Sequence, residues 1–191
     1  MVNNKTCMLK GYSIPISIHK YPNINTKKIS DTLIRYLETN RCCVNYPNCT
    51  HPKYQSDPKL FDLNNVDVKK LKKYYFNSLR KLFKSYKIIE NKSWVFFTKS
   101  NTETSSAWHT HENKTYKDKN IKQVSGICYI TKTNLGTLFE NEYFLFSIKP
   151  CVHHWYIFDS ALRHKPLQDF VNEKRIVVAT STIIQVNPKI D

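Results

Sequence analysis

A chain of 191 residues is long enough for one domain with a proper core, and a composition 40% hydrophobic and 13% aromatic excludes a disordered tail or linker. The formal net charge of +15 admits an acidic or polyanionic partner. The lysines are spread along the chain, however, and Lys, Asn, Ile and Tyr are abundant together as AT-rich coding produces, so the excess reads first as a basic, solvated surface.

The opening "MVNNKTCMLKGYSIPISIHK" has no apolar run of signal-peptide type, and no segment approaches a transmembrane length. The expectation is a cytoplasmic, reducing setting with no membrane contact. The six cysteines then read as free thiols or metal ligands rather than as a disulfide framework.

Residues 1–25 suggest one or two strands and a loop. Residues 26–39 carry Ile29, Leu33, Ile34 and Leu37 at helical spacing. Residues 41–64 are irregular; within them Cys42, Cys43, Cys49 and His51 fit no zinc-ligand spacing, so this stretch reads as a surface loop. "NNVDVKKLKKYYFNSLRKLFKSYKII" then aligns Val68, Leu71, Tyr75, Leu79, Leu82, Phe83 and Tyr86 on one face of a long helix, with Asn64 or Asn65 as its N-cap and a lysine-rich outer face. From residue 93 the period changes. "SWVFFTKS", "VSGICYITK", "GTLFE", "YFLFSIK", "HWYIFDS" and "KRIVVATSTIIQV" are β-branched and aromatic runs separated by polar turns. Helices followed by a run of strands predict an α+β protein, with helices on the outside of an antiparallel sandwich or barrel.

Within the β region stands "SSAWHTHEN". His109 and His111 are two residues apart in extended chain, so both imidazoles project to one side. His164 follows in "YIFDSALRHKP", and Arg175 opens the last apolar run, where a buried guanidinium needs an anion from the protein or from a ligand. Three neutral imidazoles suit Fe(II), Zn(II) or another first-row divalent metal, and three protein ligands leave coordination positions open for chemistry. His153 and His154 fall at a turn and read as surface residues. Trp108 and Trp155 read as barrel packing. Asp159 and Arg163, near the mouth, either face substrate or pair with each other.

From about Ser93 to Ile184 the order of blocks "SWVFF", "WHTHEN", "VSGICYIT", "IKPCVHHWYIFDSALRH" and "EKRIVVAT" resembles the Fe(II)- and 2-oxoglutarate-dependent oxygenases, in particular their small prolyl-hydroxylase-like group. Pro150, Phe158, His164 and Arg175 keep that group's spacing. The resemblance implies a double-stranded β-helix, or jelly roll, with N-terminal helices packed outside it. It implies a single oxygenase domain over 1–191, residues 1–90 giving strands and supporting helices and 91–188 the core that carries the metal. It implies His109, His111 and His164 as iron ligands, Arg175 bound to the distal carboxylate of 2-oxoglutarate, and Tyr129 donating a hydrogen bond to that same carboxylate. The implied activity is a dioxygenase that uses O2 and 2-oxoglutarate to hydroxylate an amino-acid side chain in a protein or peptide, with a small molecule as the other substrate class.

Three positions depart from the pattern. His111 stands where most relatives have Asp or Glu, so Glu112 is an alternative third ligand if the strand bulges. Val177 stands where many have Ser, and His153 where a turn glycine is usual. Two other functions stay open: a three-histidine metal oxygenase acting on a small carboxylate without 2-oxoglutarate, and a non-catalytic basic jelly-roll binding module.

Overall fold

A computed structural model describes residues 6–9, 12–22, 24–42, 54–99, 108–113, 115–116, 118–167 and 173–187. In chain order these form β1 (Thr6–Leu9), β2 (Tyr12–Lys20), α1 (Thr26–Thr39), α2 (Val66–Leu82), β3 (Tyr86–Lys99), β4 (Ile121–Tyr129), β5 (Thr137–Glu140), β6 (Leu145–Ile148), β7 (His154–Asp159), β8 (Arg163–Pro166) and β9 (Lys174–Val186). A short 3-10 turn, Leu60–Asp62, precedes α2.

Both helices start where a side-chain oxygen can take a free backbone N–H. Asn25 accepts from Lys28 N at 3.0 Å, and Asn65 accepts from Asp67 N at 2.9 Å and Val68 N at 3.2 Å; each cap contributes about 1 kcal/mol. Helix α2 ends earlier than its apolar spacing predicts. Phe83 has already left helical geometry, and from Tyr86 the backbone pairs with β9, beginning at Tyr86↔Val186. Ile88 and Ile89 therefore belong to a 14-residue strand whose ladder is interrupted by an irregularity between Ile88 and Glu90. Ladder hydrogen bonds along a full-length partner outweigh the weak helical preference of these β-branched residues.

The strands make two antiparallel sheets. The larger runs β1-β2-β7-β4-β9-β3, and the smaller runs β6-β5-β8. One apolar cluster joins α1 and α2 to one face of the large sheet, through Leu33, Leu71, Leu79, Trp155 and Val178. A second lies between the sheets and contains Tyr129, Phe139, Tyr156, Phe158 and Val177. Along β4, β7 and β9 side chains alternate between the two clusters, as the pleat requires. Helix α2 sits so close that a Cβ on Gly126 would come within 2.7 Å of the Tyr75 ring, while Tyr75 Oη meets Thr182 Oγ1 at 2.8 Å. A glycine in β4 is what permits that approach. Trp155 is fully buried against Tyr75 and Phe61, as the packing expectation held. Among the described residues no helix is long and apolar enough to cross a membrane.

Candidate metal centre

The small sheet positions the histidines. His109 N donates to His164 O at 3.1 Å and His164 N donates to His109 O at 3.0 Å. His111 N donates to Ser160 O at 2.9 Å. The HTH segment is thus not a full strand, as its pattern suggests, but an extended arm held against the edge of β8 by these bonds. The two-residue spacing still turns both rings to one side, toward His164.

The ring centroids of the three histidines lie 5.1 Å (His109–His111), 4.4 Å (His109–His164) and 5.0 Å (His111–His164) apart. Their ligand atoms all fall within 4.8 Å of one another. An ion about 2.1 Å from three nitrogens at right angles would set the ring centroids about 4.6 Å apart, so the spacing suits a divalent metal. Glu112 is exposed at the cavity rim and does not join the cluster. No bulge brings it round.

The surroundings prepare the rings for that role. His164 Nδ1 lies 2.9 Å from Leu162 O, which assigns the proton to Nδ1 and leaves Nε2 as the free lone pair. Phe158 stands edge-on to His164 at 5.1 Å, Phe139 is stacked on it at 5.8 Å, and Trp94 meets His111 edge-on at 5.3 Å. Burial, reinforced by His109 and Arg175, pushes the His164 imidazole down to about 3. Burial and the other two histidines hold His111 well below the usual range. Both rings are therefore neutral near pH 7, the form that binds metal.

A cavity of about 500 Å³ opens over the cluster. Arg175, Val177, Ala179 and Ser181, alternate residues of β9, face it, whereas Ile176 and Val178 turn to the helix-side core. Arg175 is only 3% exposed. Its Nη2 donates to Thr137 Oγ1 at 3.1 Å, its guanidinium carbon lies 5.3 Å from the centre of the Tyr129 ring, and its Nε has no hydrogen-bond partner among the described residues. No acidic side chain pairs with it among the described residues. A buried cation is costly unless an anion pairs with it.

Other expected residues are placed differently. Tyr129 is fully buried, is absent from the cavity wall, and spends its hydroxyl on Thr137 at 2.7 Å. Thr137 is the wall residue, and the sequence drew no attention to it. His153 and His154 are partly buried rather than superficial. His153 has φ 61°, the left-handed conformation that glycine adopts most readily, and its Nδ1 accepts from Ile24 N at 3.4 Å. Trp108 is not barrel packing: Arg163 and Lys165 lie over its ring at 5.6 and 4.9 Å. Asp159 and Arg163 do not pair. Asp159 accepts from Ala161 N at 2.8 Å, and Arg163 bonds Glu140 at 2.7 Å. Cys42 is buried and lines the cavity, while Cys43, Cys49 and His51 lie outside the described residues.

No protein-family model and no curated protein matches the sequence. Solved structures do match the fold. The non-heme α-ketoglutarate-dependent carbocyclase SnoK from nogalamycin biosynthesis superposes with a TM-score of 0.65 at 6% identity, over 93% of this chain and 83% of that one. HygX from Streptomyces hygroscopicus, solved with nickel and 2-oxoglutarate bound, gives 0.60 at 7% identity, over 91% and 83%. The viral collagen prolyl hydroxylase from Paramecium bursaria Chlorella virus-1 gives 0.55 at 12% identity, over 94% and 100%. The chain has the jelly-roll architecture of the iron- and 2-oxoglutarate-dependent oxygenases, including their prolyl-hydroxylase-like members.

Proposed function

We propose that this protein is an Fe(II)- and 2-oxoglutarate-dependent oxygenase that hydroxylates an amino-acid side chain in a protein or peptide. The observation that carries the reading is Arg175, a buried cation with an unpartnered Nε in the same cavity as three converging imidazoles. One molecule with a metal-chelating head and a carboxylate tail satisfies both.

In this reading His109, His111 and His164 hold the metal, His164 through Nε2. When bound, iron and 2-oxoglutarate together supply the oxidising power: substrate C–H, O2 and 2-oxoglutarate become the alcohol, succinate and CO2. The chain's own residues bind and orient. Arg175 fixes the distal carboxylate by charge-assisted hydrogen bonds. Val177, Ile127 and Phe158 keep water from the buried end, which strengthens each of those bonds. Trp94 and Phe96, on β3 opposite Val177 and Ala179, form the apolar wall against which a substrate side chain rests. The basic surface favours an acidic stretch beside the target residue.

The test is an anaerobic titration of Fe(II)-loaded protein with 2-oxoglutarate, following the visible iron-to-ligand charge-transfer band. A saturable band, lost in both Arg175→Ala and His164→Ala, supports the assignment. The all-histidine ligand set favours one alternative, a three-histidine oxygenase in which Arg175 takes the carboxylate of the substrate itself. Iron uptake without a band would select that alternative. No iron uptake at all would leave a binding module.

A further inference from the structure

The small sheet has two faces of different character. Phe139, Phe146 and His164 turn inward, to the core between the sheets and to the histidine cluster. The alternate residues turn outward. Strand pairing sets them in rows, Leu145–Glu140–Arg163 in one and Leu138–Lys165 in the next. The arm that carries His109 extends the sheet past β8, because His109 and His164 bridge each other antiparallel, and this places Trp108 opposite Lys165. Lys165 Nζ lies 4.9 Å and the Arg163 guanidinium carbon 5.6 Å from the centre of the indole. Both helices pack on the far side of the large sheet. Among the described residues nothing buries the outer face: Arg163 and Leu145 are exposed, and Trp108, Leu138, Glu140 and Lys165 are only half-buried.

The chemistry of that face changes from one edge to the other. At the β6 edge it is aliphatic, with Leu145 60% exposed and Leu138 beside it. At the arm edge it is cationic. Arg163 already answers Glu140 at 2.7 Å, but Lys165 has no acidic partner among the described residues and rests on an indole. A ring holds a cation in place without neutralising it, so a carboxylate that arrives there meets a positioned charge. Glu140 in the middle of the face repels a continuous polyanion, and the far edge offers leucine rather than a second stacking ring, so the surface suits a peptide better than a nucleic acid. It also adjoins the metal cluster. Trp108 precedes His109, Arg163 and Lys165 flank His164, and Thr110, exposed on the arm, lines the cavity as a lip between the two.

We propose that the outer face of the small sheet is the docking surface for the peptide substrate, with an acidic side chain of the peptide on Lys165 and Arg163 beside Trp108, an aliphatic one on Leu145 and Leu138, and the target residue turning over Thr110 into the cavity. The proposal rests on the oxygenase reading above for which part of the peptide reacts. It also sets a spacing. The columns from β6 to the arm stand about 4.8 Å apart, so Leu145 and Trp108 are separated by about 14 Å, the span of about four residues of extended chain. The acid therefore lies next to the target, and the aliphatic residue about four positions further from it.

The experiment follows the indole N–H signals of the three tryptophans by NMR, in full-length protein given redox-silent Zn(II) and 2-oxoglutarate, with Trp108→Phe assigning the signal of interest. The probe is a capped peptide of Ser and Gly that carries one Leu four residues from an Asp-Asp pair; its counterpart carries Asn-Asn. The Asp-Asp peptide is expected to move the Trp108 signal saturably and to leave that of buried Trp155 in place. Lys165→Gln should weaken the peptide about threefold, and Glu140→Gln, which frees Arg163, should tighten it by a similar factor. Both substitutions are on the surface, and their melting temperatures should match wild type. The Asn-Asn peptide should bind far more weakly, and added salt should weaken the Asp-Asp peptide. A Trp108 signal that does not move, or equal affinity in wild type, Lys165→Gln and Glu140→Gln, would overturn the proposal. So would an oligothymidylate that moves the Trp108 signal at lower concentration than the peptide, which would make the face a nucleic-acid surface. Protein that binds the peptide at Trp108 but shows no thermal stabilisation by 2-oxoglutarate would instead remove the oxygenase reading and leave the docking surface standing.

Discussion

Replacing Arg175 with methionine should make the ligand-free protein more stable while abolishing its response to 2-oxoglutarate. Arg175 is 3% exposed, has one unpartnered donor at Nε, and faces no acidic side chain among the described residues. An unsatisfied buried donor costs about 1–3 kcal/mol, and a buried charge without a partner adds to that. Against this, the variant loses the hydrogen bond to Thr137 and the contact with the Tyr129 ring, together about 1–2 kcal/mol. Methionine fills most of the volume with a flexible apolar chain. The net gain is about 1 kcal/mol, or a rise of about 2–4 °C in Tm for a chain of this size. Wild type with metal and 2-oxoglutarate at about 100 times Kd should gain about 2.7 kcal/mol, and Arg175→Met should gain none. Differential scanning calorimetry of the metal-loaded proteins, with and without 2-oxoglutarate, reads both quantities. An Arg175→Met protein that melts several degrees below wild type and still responds to the keto acid would refute the idea that this cation is held in reserve for an anion.

Two further expectations concern the support of the site. His19, on β2 and 2% exposed, has neither ring nitrogen hydrogen-bonded among the described residues; burial, helped by Lys81, lowers its imidazole to about 4. The fold holds the neutral ring, while the unfolded chain takes up a proton near pH 6.5, so the stability it contributes is present above about pH 6.5 and is lost as pH falls toward 4. Between pH 7.5 and pH 5, urea unfolding should cost wild type about 2 kcal/mol more than His19→Leu; equal losses in the two proteins would exclude His19 as the source. Gly126→Ala places a methyl group within 2.7 Å of the Tyr75 ring and of Thr180 Oγ1. A destabilisation of about 1–3 kcal/mol is expected in the same assay, partly recovered by Tyr75→Leu, and an unchanged urea midpoint would mean that α2 rides more loosely on the sheet than described.

Much of this was legible in the residues. Helix α1 spans Thr26–Thr39, the bounds its regular apolar spacing suggests, and the structure adds Asn25 and Asn40 as its caps. Helix α2 ends at Leu82, short of what the sequence suggests, because Leu82, Phe83 and Tyr86 continue its apolar phase and no glycine or proline marks the stop. What ends it is β9, a partner about a hundred residues away, which local spacing cannot reveal. The histidines and Arg175 stood out because each is chemically distinctive and lies in an extended segment, where i and i+2 share a face. Thr137 carried no such mark. Its place in the cavity wall comes from pairing register, and the groups that meet its oxygen, Arg175 and Tyr129, come from other strands. The environment of Trp108 is hidden from local sequence for a related reason, since the cations over its ring come from β8. The turn at His153 was anticipated from the glycine usual there, and the positive φ agrees; its hydrogen bond to the Ile24 backbone was not foreseeable from the turn alone.

Strand β9 lies between β4 and β3, although it follows both in the chain. A ribosome delivers those two neighbours first, and until residues 174–186 emerge each of them presents a raw edge where β9 will sit. Long-range pairing of this kind is slow, and exposed edges invite pairing with other chains. Arg175 sits on that late-pairing strand, so the step that seats β9 between β4 and β3 also delivers the cation to the cavity that the histidines line. In the proposed reading, a chain whose β9 has not yet paired has the three histidines but no seated Arg175, so uptake of the keto acid would report that β9 is in place.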